Sequence, residues 1–468
     1  MGFTLSARNK AVDNYNVDWK HFYKQVFKLI IPMALQNLIN VGVTAADVGM
    51  LGRVSESVLS GASLAGQVQF IMTMILFGTT SGITVLAAQY WGKRDTRTIE
   101  KIMGMGMAVG IGTAFVFTML TQICPERLMQ IYTSESDVIY EGVKYLRIVG
   151  WSYLFMAMNQ VYLYIMRSIE RVVIATVVYT SSLVTNVILN LLLIFGLMGF
   201  PKLGIVGAAI ATLVSRIIEF GIVVWYSKFK NKVVKFRFYD VWHIDKNLFK
   251  DFVKYAAPVI LNELLWGLGS STNTAIIGHL GKEAVAANAV AQMTRQLASV
   301  VVFGVANATA IYLGKTIGEK KYELAKLYGK KFMWLSVITG AAGGCIILLL
   351  APILKHVMVL SPEAQEYLTF MFFVMSYFTF CMSVNSTLIV GVLRSGGDTR
   401  YGLIIDVAGM WCCSILCGAI AAFVFKASVP IVYMILMSDE VIKIPLSVRR
   451  FLSYKWINNV TRENEECT

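Results

Sequence analysis

The feature that most restricts what this chain can fold into is that it contains one pattern twice. Shifted by 226 positions (258 − 32), Pro32 falls on Pro258, Leu35 on Leu261, Leu38 on Leu264 and Gly52 on Gly278, without a gap. Phe77, Gly78 and Gly92 then meet Phe303, Gly304 and Gly318. At an offset of 227, Pro125 meets Pro352, Ser134 meets Ser361 and Arg167 meets Arg394. A period of half the chain predicts two related lobes, not a solenoid of short stacked units.

Both copies are written in long apolar runs. Of the 468 residues 56% are hydrophobic and 15% charged, where a soluble domain carries about 25% charged residues. Mean hydropathy is +0.63. Apolar stretches of about 20 residues are long enough to cross a bilayer. They predict spans at 28–51, 58–90, 100–123, 138–166, 172–196 and 205–227, and again at 252–277, 284–314, 330–351, 365–393, 401–424 and 428–448. The second span of each half is long enough to tilt strongly or to project beyond the membrane. The expected fold is therefore an all-α polytopic membrane protein, with twelve transmembrane helices in two six-helix lobes. The lobes cover 28–227 and 252–448, joined by a basic linker at 228–251 and flanked by segments 1–27 and 449–468.

Charge supplies the orientation. The formal net charge of +14 would raise nucleic acid as a partner in a soluble chain. Here the basic residues collect in alternate gaps: Lys93, Arg94, Arg97 and Lys101; Arg167 and Arg171; the linker; Lys315, Lys320, Lys321 and Lys326; Arg394 and Arg400. Cytoplasmic loops are enriched in Lys and Arg, so both termini and the linker are expected in the cytoplasm, and no nucleic acid is expected. Six spans per half make the copies parallel repeats, which in transporters place a site between them. The first residues include Arg8 and Lys10 but no apolar core before a small-residue cleavage site, so no cleaved signal peptide is expected. Five of the seven Cys lie in apolar segments, Cys124 at a span end and Cys467 in the tail, with no CxxC, so neither disulfides nor zinc are expected. The spacings Gly106/Gly110 and Gly340/Gly344 allow helices to approach closely.

Polar groups inside spans carry the functional reading, because a charge there is costly. Asn37, Asn40, Thr44 and Asp47 share one helical face of the first span. Their counterparts are Glu263, Trp266, Ser270 and Asn273, so each half keeps one carboxylate, at opposite ends of its stripe. Asp47 lies about one turn from the outer end of its helix, which leaves a headgroup contact as the plainer alternative. No fixed positive neighbour of Asp47 is identifiable. Asp406, about one turn into the eleventh span, is a third carboxylate. Ser182, Asn186 and Asn190 form another polar stripe with Thr212 on the next span, and Asn288, Gln292, Arg295 and Ser299 do so on the eighth. Arg216/Glu219 and Asp439/Lys443 are spaced to neutralise one another locally, leaving Glu440 unaccounted for. Met and aromatic residues such as Met156 and Phe378 suit an adaptable apolar pocket.

The segments "IPMALQNLINVGVTAADVGMLGRV" and "APVILNELLWGLGSSTNTAIIGHLG", the loops "AAQYWGKRD" and "YLGKTIGEKK", and "LRSGGDTR" at 393–400 resemble the multidrug and toxic compound extrusion transporters. The resemblance spans about residues 20–455. It implies an N lobe and a C lobe with a central cavity open to one side at a time, and export of cationic, often aromatic compounds in exchange for H⁺ or Na⁺. It makes Asp47 the coupling carboxylate, with Asn186, Asn190 and Thr212 as its companions and a Na⁺ near Asp47 as a conceivable ligand. Some relatives have Asp where Asn190 stands, and a Glu where Trp266 stands, one turn beyond Glu263. Substrate is expected at Glu263, Asn37, Asn40, Trp266, Asn273, Asp406 and Arg295, with Glu263 on the second lobe.

The reading is an antiporter for small cationic or amphipathic compounds, monomeric, in the plasma (inner) membrane, without a cofactor beyond the coupling ion. The alternative is a flippase for a lipid-linked saccharide or lipid of the same superfamily. An enzyme is disfavoured, because His21, His243, His279 and His356 lie in or beside loops and neither HExxH nor a P-loop occurs. A channel is disfavoured by the asymmetric carboxylates.

Overall fold

The computed structural model describes residues 17–357 and 361–462, with the side chains of 356 and 357 excluded. Arg8, Lys10 and the rest of 1–16 therefore lie outside the described residues, as do 463–468 with Cys467 and the side chain of His356. Every regular element among the described residues is a helix. In order they are α1 (Trp19–Leu51), α2 (Glu56–Gly92), α3 (Thr96–Ile123), α4 (Pro125–Gln130), α5 (Ser136–Val149), α6 (Ser152–Ser168), α7 (Val173–Phe195) and α8 (Ile205–Lys230). There follow α9 (Phe238–Trp242), α10 (Lys246–Gly278), α11 (Lys282–Gly318), α12 (Tyr322–Val357), α13 (Pro362–Leu393), α14 (Thr399–Val424), α15 (Val429–Leu436) and α16 (Asp439–Leu452).

Nine of the described helices are long and apolar enough to cross a membrane: α1, α2, α3, α7, α8, α11, α12, α13 and α14. The other three expected spans have local reasons for falling short. Span 138–166 is interrupted at Gly150 and Trp151, where Thr118 Oγ1 donates to the Gly150 carbonyl at 2.9 Å. Span 428–448 is interrupted at Met437 and Ser438, just before two acids. Span 252–277 lies within α10, a continuous helix of 33 residues that carries Lys246, Lys250, Asp251, Lys254 and Glu263. The long second spans are α2 and α11, 37 residues each, or about 55 Å against a hydrocarbon core of about 30 Å.

Local chemistry sets the ends. Asp95 caps α3, accepting from the Thr98 amide at 3.0 Å and its hydroxyl at 2.7 Å. Ser361 caps α13 ahead of Pro362 at its first turn. The repeated prolines, placed near span starts by the apolar pattern, are interior: Pro32 is thirteen residues into α1 (32 − 19) and Pro258 twelve into α10 (258 − 246). Each removes a backbone donor from the ladder and weakens its helix at that turn.

The chain forms two compact units. The N unit is Leu35–Ala87 with Asp95–Ser271; the C unit consists of the described residues within Met1–Ala34, Ala88–Arg94 and Thr272–Thr468. Thus α1 passes from one unit into the other two residues beyond Pro32, and α10 does so near its end. In the N unit, Met72, Leu76, Ala114, Val149, Tyr153, Ala157 and Ala209 form a core from α2, α3, α5, α6 and α8. There α2 and α10 touch at backbone range, since a Cβ on Gly78 would stand 2.5 Å from the Ile260 Cα. Gly106 meets Ile83 and Val161. In the C unit Phe22 stacks on Tyr328 at 4.6 Å among Tyr312 and Phe332, and Gly340 and Gly344 lie against Ser383 and Ser376. The linker is tied down within the N unit. Arg97 grips Asp240 with two bonds of 2.6 and 2.7 Å, and Glu100 takes Arg237 at 3.0 Å. In the C unit Asp398 of the GDT segment accepts from Arg450 at 2.6 Å, after a turn at Gly397 whose φ of 75° suits glycine.

Candidate functional site

In the N unit, Asn186 and Asn190 lie one turn apart on the same face of α7 and are almost fully buried. Asn190 uses both amide hydrogens: one on Asp47 Oδ1 at 2.6 Å, the other on Asn186 Oδ1 at 3.0 Å. Its own Oδ1 is buried without a partner. Asp47 is half-buried, near the end of α1. Thr212 on α8 is within hydrogen-bonding reach of the Tyr145 hydroxyl, and Tyr145 is electrostatically coupled to Asp47. The structure therefore brings Asp47, Asn186 and Asn190 together and places Thr212 one residue away, through Tyr145.

The absence of a positive neighbour for Asp47 is corrected. Arg216 on α8 lies within electrostatic reach of Asp47 while pairing with Glu219 at 2.7 Å. Asn159 on α6 donates to Glu219 at 3.2 Å. The Arg216 guanidinium is paired with Glu219, so Asp47, Glu219 and Arg216 together carry a formal charge of −1. An oxygen-rich spot of this kind can hold a proton on Asp47 or a monovalent cation against Asp47 and the Asn190 carbonyl.

A second buried polar knot surrounds Gln36, which sequence reasoning missed. Gln36 donates to the Val172 carbonyl at 3.0 Å and to Thr176 Oγ1 at 2.8 Å, and accepts from Arg167 at 2.6 Å. The Arg167 guanidinium sits 4.6 Å from the Tyr164 ring centre. Glu263, half-buried on α10, couples electrostatically to Tyr164. It stands in the N unit, with Asp47, and Trp266 lies one turn further on, half-buried. On α1 Asn37 is half-buried and Asn40 exposed. A fully polar residue beside the Asn37 stripe was the available signal for Gln36.

The remaining expected residues lie in the C unit. Asn273 is buried, and its Oδ1 has no partner. Arg295 on α11 donates to Gln292 at 2.8 Å and lies 5.9 Å from the Phe378 ring. Asp406 approaches Lys443 at 3.3 Å instead of standing alone. Among the described residues no group of three or more His, Cys, Asp or Glu is placed to hold a metal ion.

Long apolar helices that carry buried carboxylates, amides and guanidinium groups define a polytopic membrane transporter. The profile of the MatE family matches residues 32–192 and 258–420, two segments that begin at the paired prolines. The chain belongs to the MatE family, whose members are transporters and not enzymes. It is 24% identical over 439 residues to a probable multidrug resistance protein NorM of Thermotoga maritima, covering 92% of this chain and 93% of that one. To the probable multidrug resistance protein YoeA of Bacillus subtilis it is 22% identical over 396 residues, covering 83% and 84%. It superposes on a mutant of the Vibrio cholerae MATE transporter VcmN with a TM-score of 0.85 at 17% identity, covering 93% and 98%. A MOP superfamily transporter from Pyrococcus furiosus matches with a TM-score of 0.82 at 18% identity, covering 92% and 96%. At these identities the structural likeness speaks for the fold.

Proposed function

We propose that this transporter is a secondary active antiporter that exports small cationic or amphipathic organic compounds in exchange for H⁺ or Na⁺, by alternating access of two six-helix lobes. The observation that carries the reading is the Asp47–Asn190–Asn186 chain of bonds inside a membrane helix bundle. The NorM and YoeA relatives, probable multidrug resistance proteins, support small organic compounds as the cargo. On this reading the spans number twelve: the nine apolar helices together with α5–α6, α10 and α15–α16. The lobes are 28–227 and 252–448, and 1–27, the 228–251 linker and 449–468 face the cytoplasm of a plasma-membrane protein that acts as a monomer. Asn37, Asn40, Glu263, Trp266, Asn273, Asp406 and Arg295 are the residues offered to substrate.

Charge drives the step. With Asp47 ionised, Asn190 donates to it and ties α1 to α7. Binding of a proton or Na⁺ at Asp47, with the Asn190 carbonyl and Thr212 at hand, cancels the excess negative charge and rearranges that tie. Pro32 leaves α1 a weak turn at which to bend. One charge crossing ~150 mV supplies about 3.5 kcal/mol, roughly a 300-fold concentration ratio.

The test is transport of a cationic dye in proteoliposomes under imposed H⁺ or Na⁺ gradients. Asp47→Asn, close in shape and uncharged, should insert and bind dye within a few-fold of wild type and lose gradient-driven export. Export that survives at normal expression moves the coupling site away from Asp47.

A further inference from the structure

The repeat pairs two basic residues that no apolar pattern requires, Arg216, half-buried, and Lys443, buried, 227 positions apart (443 − 216). In the N unit Arg216 holds Glu219, which also accepts from Asn159 on α6. In the C unit Lys443 on α16 holds Glu440 at 3.1 Å, and Asn385 on α13 donates to Glu440 Oε2 at 2.8 Å and to its carbonyl at 2.6 Å. Each unit thus sets a glutamate between an amide and a base, three residues after the base in one copy (Glu219) and three before it in the other (Glu440).

The C copy is more acidic. Asp439 also pairs with Lys443, at 2.8 Å, and Asp406 on α14 with it at 3.3 Å. The Lys443 side chain is 1% exposed and that of Asp406 18%. The titratable groups that face Glu440 are Asp439 and Lys443 on its own helix, Asp406, Arg295 on α11 and Cys381 on α13; Tyr433 on α15 faces Arg295. Three carboxylates against Lys443 and Arg295 leave one negative charge uncompensated inside the bundle, a costly state.

A separate observation points to what fills it. The Asn385 Oδ1, on the amide whose nitrogen donates to Glu440, is buried and has no partner. An ammonium has three hydrogens; Lys443 donates to Asp439 and Glu440 and turns toward Asp406 as an ion pair at 3.3 Å. Among Asp406, Asp439, Glu440 and Lys443, protonation of a carboxyl adds a donor from which such an oxygen can accept. A metal ion fits poorly, because the ammonium already occupies the point on which the three carboxylates converge and would repel a second cation there. Wide π-helical turns begin two residues beyond Asn385 and two beyond Asp406, a local geometry common at functional sites.

We propose that Asp406, Asp439, Glu440 and Lys443, closed by Asn385, form a proton-binding site of the C unit. One H⁺ passes from hydronium to a carboxylate, water leaves, and the charge of the four groups changes from −2 to −1. Asp406, the most exposed of the three acids, is the point of entry. The site shares no residue with the Asp47 chain of bonds and is independent of what the protein exports.

Infrared difference spectroscopy of the purified protein in lipid nanodiscs, titrated in pH, reads protonated carboxyls directly by their C=O stretch. Wild type should show a protonated-carboxyl band that Asp47→Asn retains. At least one of Glu440→Gln, Asp406→Asn and Asp439→Asn should remove it, with an unchanged melting profile and a monodisperse elution. Lys443→Gln should move its midpoint upward by about one pH unit or more, because the nearest positive charge is gone. Exchange of choline for Na⁺ at fixed pH should leave the band in place. If none of the three folded acid variants alters the band, or if Na⁺ abolishes it, the proposal is overturned. A transport assay on the same preparations separates this outcome from failure of the antiport reading.

Discussion

Asn190 donates to Asp47 at 2.6 Å, joining α7 to α1 across 143 residues of sequence. The same amide holds Asn186 at 3.0 Å, so a single side chain positions the carboxylate and is itself positioned. Replacing Asn190 by Ala removes the donor and frees Asp47 from α7. Gradient-driven dye export in proteoliposomes should fall at least tenfold, while stability drops by about 2 to 4 kcal/mol, the cost of one bond to a carboxylate and one to an amide. Unchanged export would separate the bond from the coupling step.

Arg216 presents the opposite balance of stability and function. It pairs with Glu219, whose side chain is 1% exposed. Arg216→Met strands that carboxylate in the bundle and should cost about 3 to 5 kcal/mol, seen as a large fall in melting temperature in detergent. Arg216→Met with Glu219→Gln should recover much of the loss, because the uncompensated charge is gone.

Close packing of α2 on α10 makes a steric prediction. A Cβ at Gly82 would run into Ala256, whereas Gly66 on the same helix has open space around it. Gly82→Val should destabilise by about 1 to 3 kcal/mol through overpacking. Gly66→Ala should lie within about 0.5 kcal/mol of wild type or be slightly stabilising, as helical alanine favours. Melting curves of the two variants side by side decide this.

Sidedness has its own test. Lys235 and Lys426 are both exposed, and the Lys/Arg bias puts them on opposite faces of the membrane. Lys235→Cys and Lys426→Cys, each in a cysteine-free background, should react with an impermeant thiol reagent from opposite sides of intact cells. Labelling of both from one side would invert the proposed topology.

By itself the sequence determined the repeat, the membrane class and the residues that share a helical face. Apolar run length and the 3.6-residue period are properties of a single helix, so Asn186 with Asn190, or Arg216 with Glu219, could be paired on paper. Partners on different helices were not legible in that way, because which faces meet depends on packing: Asn190 with Asp47, Gln36 with Arg167, and Asp406 with Lys443. The same holds for Glu263. Its counterpart in the first copy is Asn37, and nothing in that pairing names Tyr164 as the ring within electrostatic reach of Glu263. Only the tertiary structure decided these neighbours, since periodicity orients a side chain about its own axis and says nothing of what another helix sets opposite it.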